Sequence, residues 1–281
     1  MTTIPAEGMR LNKYVSDSGK CSRREADRWI EEGRVTLNGK PAELGSKVRP
    51  GDEVRLDGEL LQPNEPLVYI LLNKPVGITC TTERDVEDNI IDYMDHPLRI
   101  FPVGRLDKMS EGLILLTNDG DIVNQILRAG NAHDKEYQVL VDKPVTPEFL
   151  EGMRRGVPIL GTRTRPCRVS AIGEQSFKII LNEGLNRQIR RMCEYFDYRV
   201  RRLQRVRIMH LTIDGLPVGH WRELTPLELS ALHDQVAHSV KTAEPGSQRR
   251  RPAKGSEAGA NAGQKTQWRR PPRTDFGNKG D

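Results

Sequence analysis

The sequence predicts an α+β protein: a small mixed unit at the N-terminus, a larger body on a largely antiparallel sheet, and a disordered basic tail. Three observations carry that prediction. Short strands recur through residues 67–235 with helices among them, but without the strand–helix–strand repetition that builds a parallel sheet. A polar, proline-bearing stretch at residues 62–66, Gln62-Pro63-Asn64-Glu65-Pro66, separates this body from residues 9–61 and reads as a linker. Residues 236–281 hold six glycines, four prolines and almost no aliphatic side chains, too little apolar surface to fold.

Within residues 9–61, Leu11, Tyr14 and Val15 fall at helical spacing. Ser22-Arg23-Arg24-Glu25 has the form of a capping box and predicts a second helix, with Ala26, Trp29 and Ile30 on one face and Gly33 at its end. Arg34-Val35-Thr36-Leu37 reads as a short strand closed by an Asn38-Gly39 turn, a strong hairpin signal. Residues 52–56 alternate as a second strand and end at Asp57-Gly58. The two helices present Lys13, Lys20, Arg23, Arg24 and Arg28, a face suited to phosphate contacts. Acids nearly balance bases in this segment, so an ordinary solvated surface fits it as well.

In the body, residues 67–72 form a continuous apolar strand running into Asn73-Lys74-Pro75-Val76-Gly77. Residues 83–99 read as an acidic helix carrying Ile90, Ile91, Tyr93 and Met94. Asp121 is placed to cap a helix that reaches Arg128. Residues 135–141 alternate as a strand with Tyr137 near its start, and Thr146-Pro147-Glu148-Phe149 opens a helix with Pro147 in its first turn. Strands are also expected around Arg168-Val169, residues 177–181 and residues 209–213. A helix begins near Asn186, with Ile189, Met192, Cys193 and Phe196 as its apolar stripe. Arg187, Arg190 and Arg191 lie on its other faces, where each is as readily solvent-facing as functional.

The net charge of +5 is unevenly divided: residues 236–281 hold 10 basic and 4 acidic side chains, and the rest hold 34 and 35. Basic surface on the body is therefore local. Residues 187–207 carry eight arginines against Glu194 and Asp197, a density that reads as polyanion binding. No run approaches the roughly 18 apolar residues a membrane helix needs. The N-terminus lacks the basic end and apolar core of a signal peptide. Cys21, Cys80, Cys167 and Cys193 are scattered without a C-x-x-C pair, which argues against a metal ribbon or disulfide framework and fits a reducing cytoplasm. With no heptad seam, a monomer is expected.

Residues 101–117 read as strand, polar loop and strand, followed by a turn at Asn118-Asp119-Gly120. Asp107 sits on that loop, and loops held by rigid strands are where reactive side chains concentrate. By spacing alone, the commoner task of such an aspartate is to fold a turn.

Three ordered segments, Leu11-Asn12-Lys13-Tyr14-Val15, Gly19-Lys20-Cys21-Ser22-Arg23-Arg24-Glu25-Ala26-Asp27 and Gly33-Arg34-Val35-Thr36-Leu37-Asn38-Gly39-Lys40, resemble an S4 RNA-binding domain. Gly104-Arg105-Leu106-Asp107, with Ser110, Gly112-Leu113 and Thr117-Asn118-Asp119-Gly120 behind it, resembles the active-site signature of the RNA pseudouridine synthases. Leu72-Asn73-Lys74-Pro75-Val76-Gly77, Lys135-Glu136-Tyr137 and Gly184-Leu185-Asn186-Arg187-Gln188-Ile189-Arg190-Arg191-Met192 match the same family in the same order. The likeness points to the RsuA-type branch, which modifies ribosomal RNA.

That resemblance implies Asp107 as nucleophile toward the target uridine, Tyr137 as the aromatic residue packing on the base and a general base at the sugar, and Arg190 as the partner of the aspartate. It implies RNA contacts from Arg105, Asn73, Lys74, Arg187 and Arg191, with Lys13, Arg23 and Arg24 from the S4-like unit. The implied partner is 23S ribosomal RNA, with tRNA open as a second substrate. Isomerising uridine involves no redox step and loses no group, so no metal and no cofactor are expected. Met109 departs from the acidic residue expected there, a change expected to bear on loop packing more than on chemistry. The main rival is a non-catalytic S4-type ribosome-assembly factor; Asp107, Tyr137 and Arg190 occurring together argue against it. A glycosidase would want a second acid paired with Asp107, and neither Glu111 nor Asp119 has that context.

Overall fold

The computed structural model describes residues 4–62, 66–127 and 133–237. The expected disorder of the tail, and most of the 62–66 linker, lie outside these residues.

The N-terminal unit runs β1 (Met9–Arg10), α1 (Leu11–Asp17), α2 (Arg23–Glu31), β2 (Val35–Leu37), β3 (Lys40–Pro41), β4 (Lys47–Val48), β5 (Val54–Leu56) and β6 (Glu59–Leu60). The Ser22 side chain accepts from the Glu25 N–H and starts α2 as the capping box predicts. Asn38 and Gly39 both take positive φ and close the β2–β3 hairpin. Leu11, Val15, Ala26, Ile30, Val35 and Val54 form the core of this unit.

The body comprises β7 (Tyr69–Lys74), α3 (Ile90–Met94), β8 (Phe101–Pro102), β9 (Glu111–Thr117), α4 (Gly120–Leu127), β10 (Lys135–Val141) and α5 (Pro147–Arg154). It continues with β11 (Pro158–Ile159), β12 (Thr162–Arg163), β13 (Arg168–Gly173), β14 (Ser176–Leu181), α6 (Gln188–Tyr195), β15 (Val200–Ile208), β16 (Leu211–Thr212), β17 (Trp221–Glu223) and α7 (Pro226–Ala237). The main sheet has the order β13-β14-β10-β15-β9-β7-β17, with β8 and β16 attached at β9 and β15. Every pairing in it is antiparallel except β9 with β15.

β7 and β9 are buried on both faces, which is why they read as unbroken apolar runs. Leu71, Leu113 and Leu115 pack under α4 and α7, while Ile70, Leu72, Ile114 and Leu116 pack with α3 and Leu106. On the other side of β15, α5 and α6 cover β10, β13 and β14 through Phe149, Met153, Ile189 and Met192.

Several elements differ from expectation. The helix of residues 83–99 is confined to α3, because Asn89 caps it, Asp95 turns left-handed after it, and residues 82–85 have no apolar side chain to bury. Asp119, not Asp121, caps α4, accepting from the N–H groups of Asp121 and Ile122. The strand of residues 209–213 shortens to β16, since Met209 has a positive φ. The strand β15, the longest among the described residues, runs through the arginine-rich stretch. The helix α7 includes Val236 and Ala237, two residues past the expected end of the body, and Val236 is buried.

Candidate active site

The loop from β8 to β9 is fixed at both ends before Asp107 is reached. Leu106 is buried in the apolar layer beneath it, and its N–H points to the Cys80 sulfur. The Asp107 carbonyl accepts the Ser110 N–H at 2.9 Å, closing a tight turn. This leaves the Asp107 carboxylate 34% exposed, open enough to be reached and enclosed enough to be directed.

Arg190, in the first turn of α6, approaches from the other half of the sheet. Its Nε lies 3.9 Å from Asp107 Oδ2, and its side chain is only 11% exposed. Its Nη2 donates to the Met109 carbonyl at 2.8 Å and to Ser110 Oγ at 3.3 Å. The guanidinium therefore grips the loop backbone while setting a positive charge beside the carboxylate. Arg190 Nε itself is buried without a hydrogen-bond partner. Burial and then Arg187 pull the arginine's pKa down, and Asp107 opposes them.

Beneath the loop one row crosses four strands: Lys74 on β7 stands opposite Gly112 on β9, Gly112 opposite Arg205 on β15, and Arg205 opposite Tyr137 on β10. Tyr137 is half-buried and packs against the apolar layers of both sheet halves, the one holding Leu106 included. Arg205 is buried and donates Nε to the Leu113 carbonyl at 2.7 Å, filling the gap where β9 and β15 cease to pair. At Gly112, φ is +105° and an added Cβ would lie 2.3 Å from the Arg205 carbonyl oxygen. Only glycine fits there.

The predicted RNA-contact residues divide into two groups. Arg105, Arg187 and Arg24 are exposed, and their side chains have no ion pair among the described residues. Asn73 and Lys74 are corrected: both are buried and cannot touch RNA directly. Asn73 Nδ2 donates to the Leu216 carbonyl, anchoring the loop before β17. Lys74 Nζ donates at 2.8 Å to the carbonyls of Pro75 and Ile78, holding the loop whose Gly77 N–H bonds the Lys108 carbonyl at 2.8 Å. Burial lowers the pKa of the Lys74 ammonium, and Cys80, Asp107 and Glu111 oppose that shift. Arg191 is turned back onto the Asn186 carbonyl and side chain, bracing the entry to α6.

Lys13 lies between Asp17 at 2.5 Å and Asp121 of α4 at 3.4 Å, with Arg23 4.0 Å from the same Asp121. These cations face the body rather than standing free. The eight-arginine cluster is likewise dispersed. Arg202 pairs with Glu111, Arg207 with Glu136 at 3.1 Å, and Arg205 is internal. Sequence reasoning missed Arg205 and the Arg202–Glu111 pair; the one signal for them was an alternation hidden among arginines. The Met109 side chain is largely exposed rather than packed into the loop, while its carbonyl accepts from Arg190.

Residues 68–195 match the RNA pseudouridylate synthase family, and residues 9–54 match the S4 domain. The chain is 57% identical over 244 residues to the dual-specificity RNA pseudouridine synthase RluF of Escherichia coli O6:H1, covering 86% of this chain and 84% of that one. It is 35% identical over 238 residues to the ribosomal large subunit pseudouridine synthase B of Bacillus subtilis, covering 82% and 97%. A crystal structure of a pseudouridylate synthase superimposes with a TM-score of 0.59 at 28% identity, over 80% of this chain and 99% of that one. With an S4 domain ahead of a pseudouridylate synthase domain and 57% identity to such an enzyme over most of its length, the chain belongs to the RsuA-type RNA pseudouridine synthases.

Proposed function

We propose that the protein converts one uridine of large-subunit (23S) ribosomal RNA to pseudouridine, with Asp107 as nucleophile. The observation that carries this reading is the Asp107–Arg190 contact, made across two sheet halves and braced by hydrogen bonds to the loop backbone. The reaction breaks the C1′–N1 bond, turns the uracil and forms a C1′–C5 bond. A carboxylate is a competent covalent nucleophile for it, attacking the ribose or the base. The reacting atoms are hidden in a stack, so the nucleotide is flipped out, and Tyr137 supplies an aromatic face for the extruded base and a general base at the sugar. Arg105 and Arg187, exposed beside the site, meet the phosphates. The reaction exchanges no electrons with a cofactor and loses no group, so the side chains suffice.

Large-subunit RNA is favoured by the name of the Bacillus subtilis relative, and a second RNA substrate, tRNA in this reading, by the term dual-specificity in that of the Escherichia coli relative. We read the enzyme as a cytoplasmic monomer. The test is to incubate protein with protein-free 23S ribosomal RNA and map new pseudouridines by carbodiimide labelling and primer extension, with Asp107→Asn alongside. One new stop, absent from the Asp107→Asn lane although that variant binds RNA within a few fold of wild type, is expected. Retained turnover would remove Asp107 from the nucleophile's role. Tight binding without any stop on 23S, 16S or tRNA would favour an assembly factor.

A further inference from the structure

We propose that Met109, with Val76 beside it, is an apolar wedge that packs against the bases flanking the target uridine and fills the space vacated when that uridine is flipped out. The inference rests on the reading above and adds to it the means by which the flipped state is held.

Single exposed methionines are ordinary. This one is 61% exposed two residues after the proposed nucleophile, and Val76, 45% exposed, lies on the loop tied to it. The tie is the hydrogen bond from the Gly77 N–H to the Lys108 carbonyl, so Val76 and Met109 flank the two ends of one bond. The backbones under both side chains are locked. Arg190 Nη2 holds the Met109 carbonyl, the Asp107 carbonyl holds the Ser110 N–H, and the buried Lys74 ammonium holds the carbonyls of Pro75 and Ile78. A fixed base carrying two apolar side chains outward is the construction of a wedge.

The occupant follows from position. A ribose or base at Asp107 brings its neighbouring nucleotides over Met109, two residues along the same turn. Arg105 and Arg187, exposed and unpaired among the described residues, give the surroundings the charge a polyanion requires. Flipping leaves unstacked base faces and a gap, and proteins that unstack nucleic acids fill such gaps with apolar side chains, methionine among them. An unbranched, polarizable thioether adapts to whichever base stands there.

Two RNA hairpins test the wedge, one with the target uridine stacked in its natural neighbours and one with abasic nucleotides on both sides, so that no stacking has to be broken or replaced. Single-turnover conversion is measured for wild type, Met109→Ala, Met109→Leu and Val76→Ala. Met109→Ala is expected to slow the stacked hairpin about tenfold, one decade in the rate. The abasic hairpin changes far less, Met109→Leu restores most of the loss, and Val76→Ala gives a smaller effect in the same direction. Equal slowing of both hairpins, or no slowing of the stacked one, would overturn the wedge. A wild-type protein that converts neither hairpin nor 23S ribosomal RNA would instead overturn the activity on which it rests.

Discussion

Replacing Gly112 with alanine should damage stability and catalysis together, because this residue lies where the two halves of the sheet meet. The halves are joined by a short parallel pairing, Gln204 with Glu111 and Arg205 with Gly112. A Cβ on Gly112 would stand 2.3 Å from the Arg205 carbonyl oxygen and 2.6 Å from the Arg205 nitrogen, and both are backbone atoms that no rotamer change can remove. The φ of +105° adds strain of about 1–3 kcal/mol for an alanine. Forcing the strands apart adds about 1–3 kcal/mol more. At the lower bound of about 2 kcal/mol, the melting temperature of a body this size falls by about 4–8 °C. Asp107 is anchored on β9, and Arg190 and Tyr137 on the opposite half, so opening the seam separates them. A displacement of about 1 Å in a reacting group lowers a rate about 100-fold. Differential scanning calorimetry gives the first quantity, and single-turnover pseudouridine formation at 25 °C, where the variant is still folded, gives the second. A Gly112→Ala variant that melts within 2 °C of wild type and converts uridine at the wild-type rate would refute the placement of the seam.

Other perturbations follow from the same geometry. Arg190→Met removes the charge beside Asp107 and leaves the Met109 carbonyl without its donor; turnover should fall at least about 100-fold while RNA binding changes little, and an active variant would exclude the pairing as functional. The Lys135 ammonium is pushed down to about 8 by burial first and then by Arg205, with Asp134 opposing. A cation whose pKa is lowered in the fold opposes folding below pH 8. That penalty disappears as pH rises from about 8 to about 10.4, where the unfolded chain also loses the proton. NMR of ¹³C-labelled lysine should show one resonance titrating near pH 8, and a set titrating entirely near 10.4 would refute the burial of this group. Arg202→Met leaves the Glu111 carboxylate, nearly enclosed, without its partner, and should lower stability by about 1–3 kcal/mol in urea unfolding. An unchanged midpoint would show that water replaces the arginine. Removing residues 238–281, a stretch with 10 basic and 4 acidic side chains, should weaken RNA binding with a shallower salt dependence, and an unchanged slope would show that those residues do not touch RNA.

What the sequence discloses here is what is decided locally. The capping box at Ser22, the Asn38-Gly39 turn and the Thr146-Pro147 helix start each depend on residues within four positions of one another, and each is found where its pattern places it. The Asp107 loop was legible for the same reason: two apolar strands bracket it in one stretch of chain. Lys74 and Asn73 were misassigned because a lysine and an asparagine in a turn read as surface groups. Their burial is decided by carbonyls of the following loop and by the distant Leu216.

The largest omission, β15, explains how this fold makes a site. Its arginines suggested a single basic surface, yet strand alternation sends Leu203 and Arg205 inward while Arg202 reaches the Glu111 carboxylate on the neighbouring strand. Arg205 enters the core because its partner is a backbone carbonyl of β9, 92 residues earlier, and no local pattern encodes that bond. The strand does what neither half of the sheet can do alone. It pairs with β10, which carries Tyr137, and with β9, which carries Asp107 at its entrance, so one element sets the distance between the proposed nucleophile and the proposed platform for the base. Arg190 then crosses the seam above it and closes the arrangement with bonds to the loop backbone. The residues proposed to react are local in sequence motif, and the spacing between them is set by contacts between segments far apart in the chain.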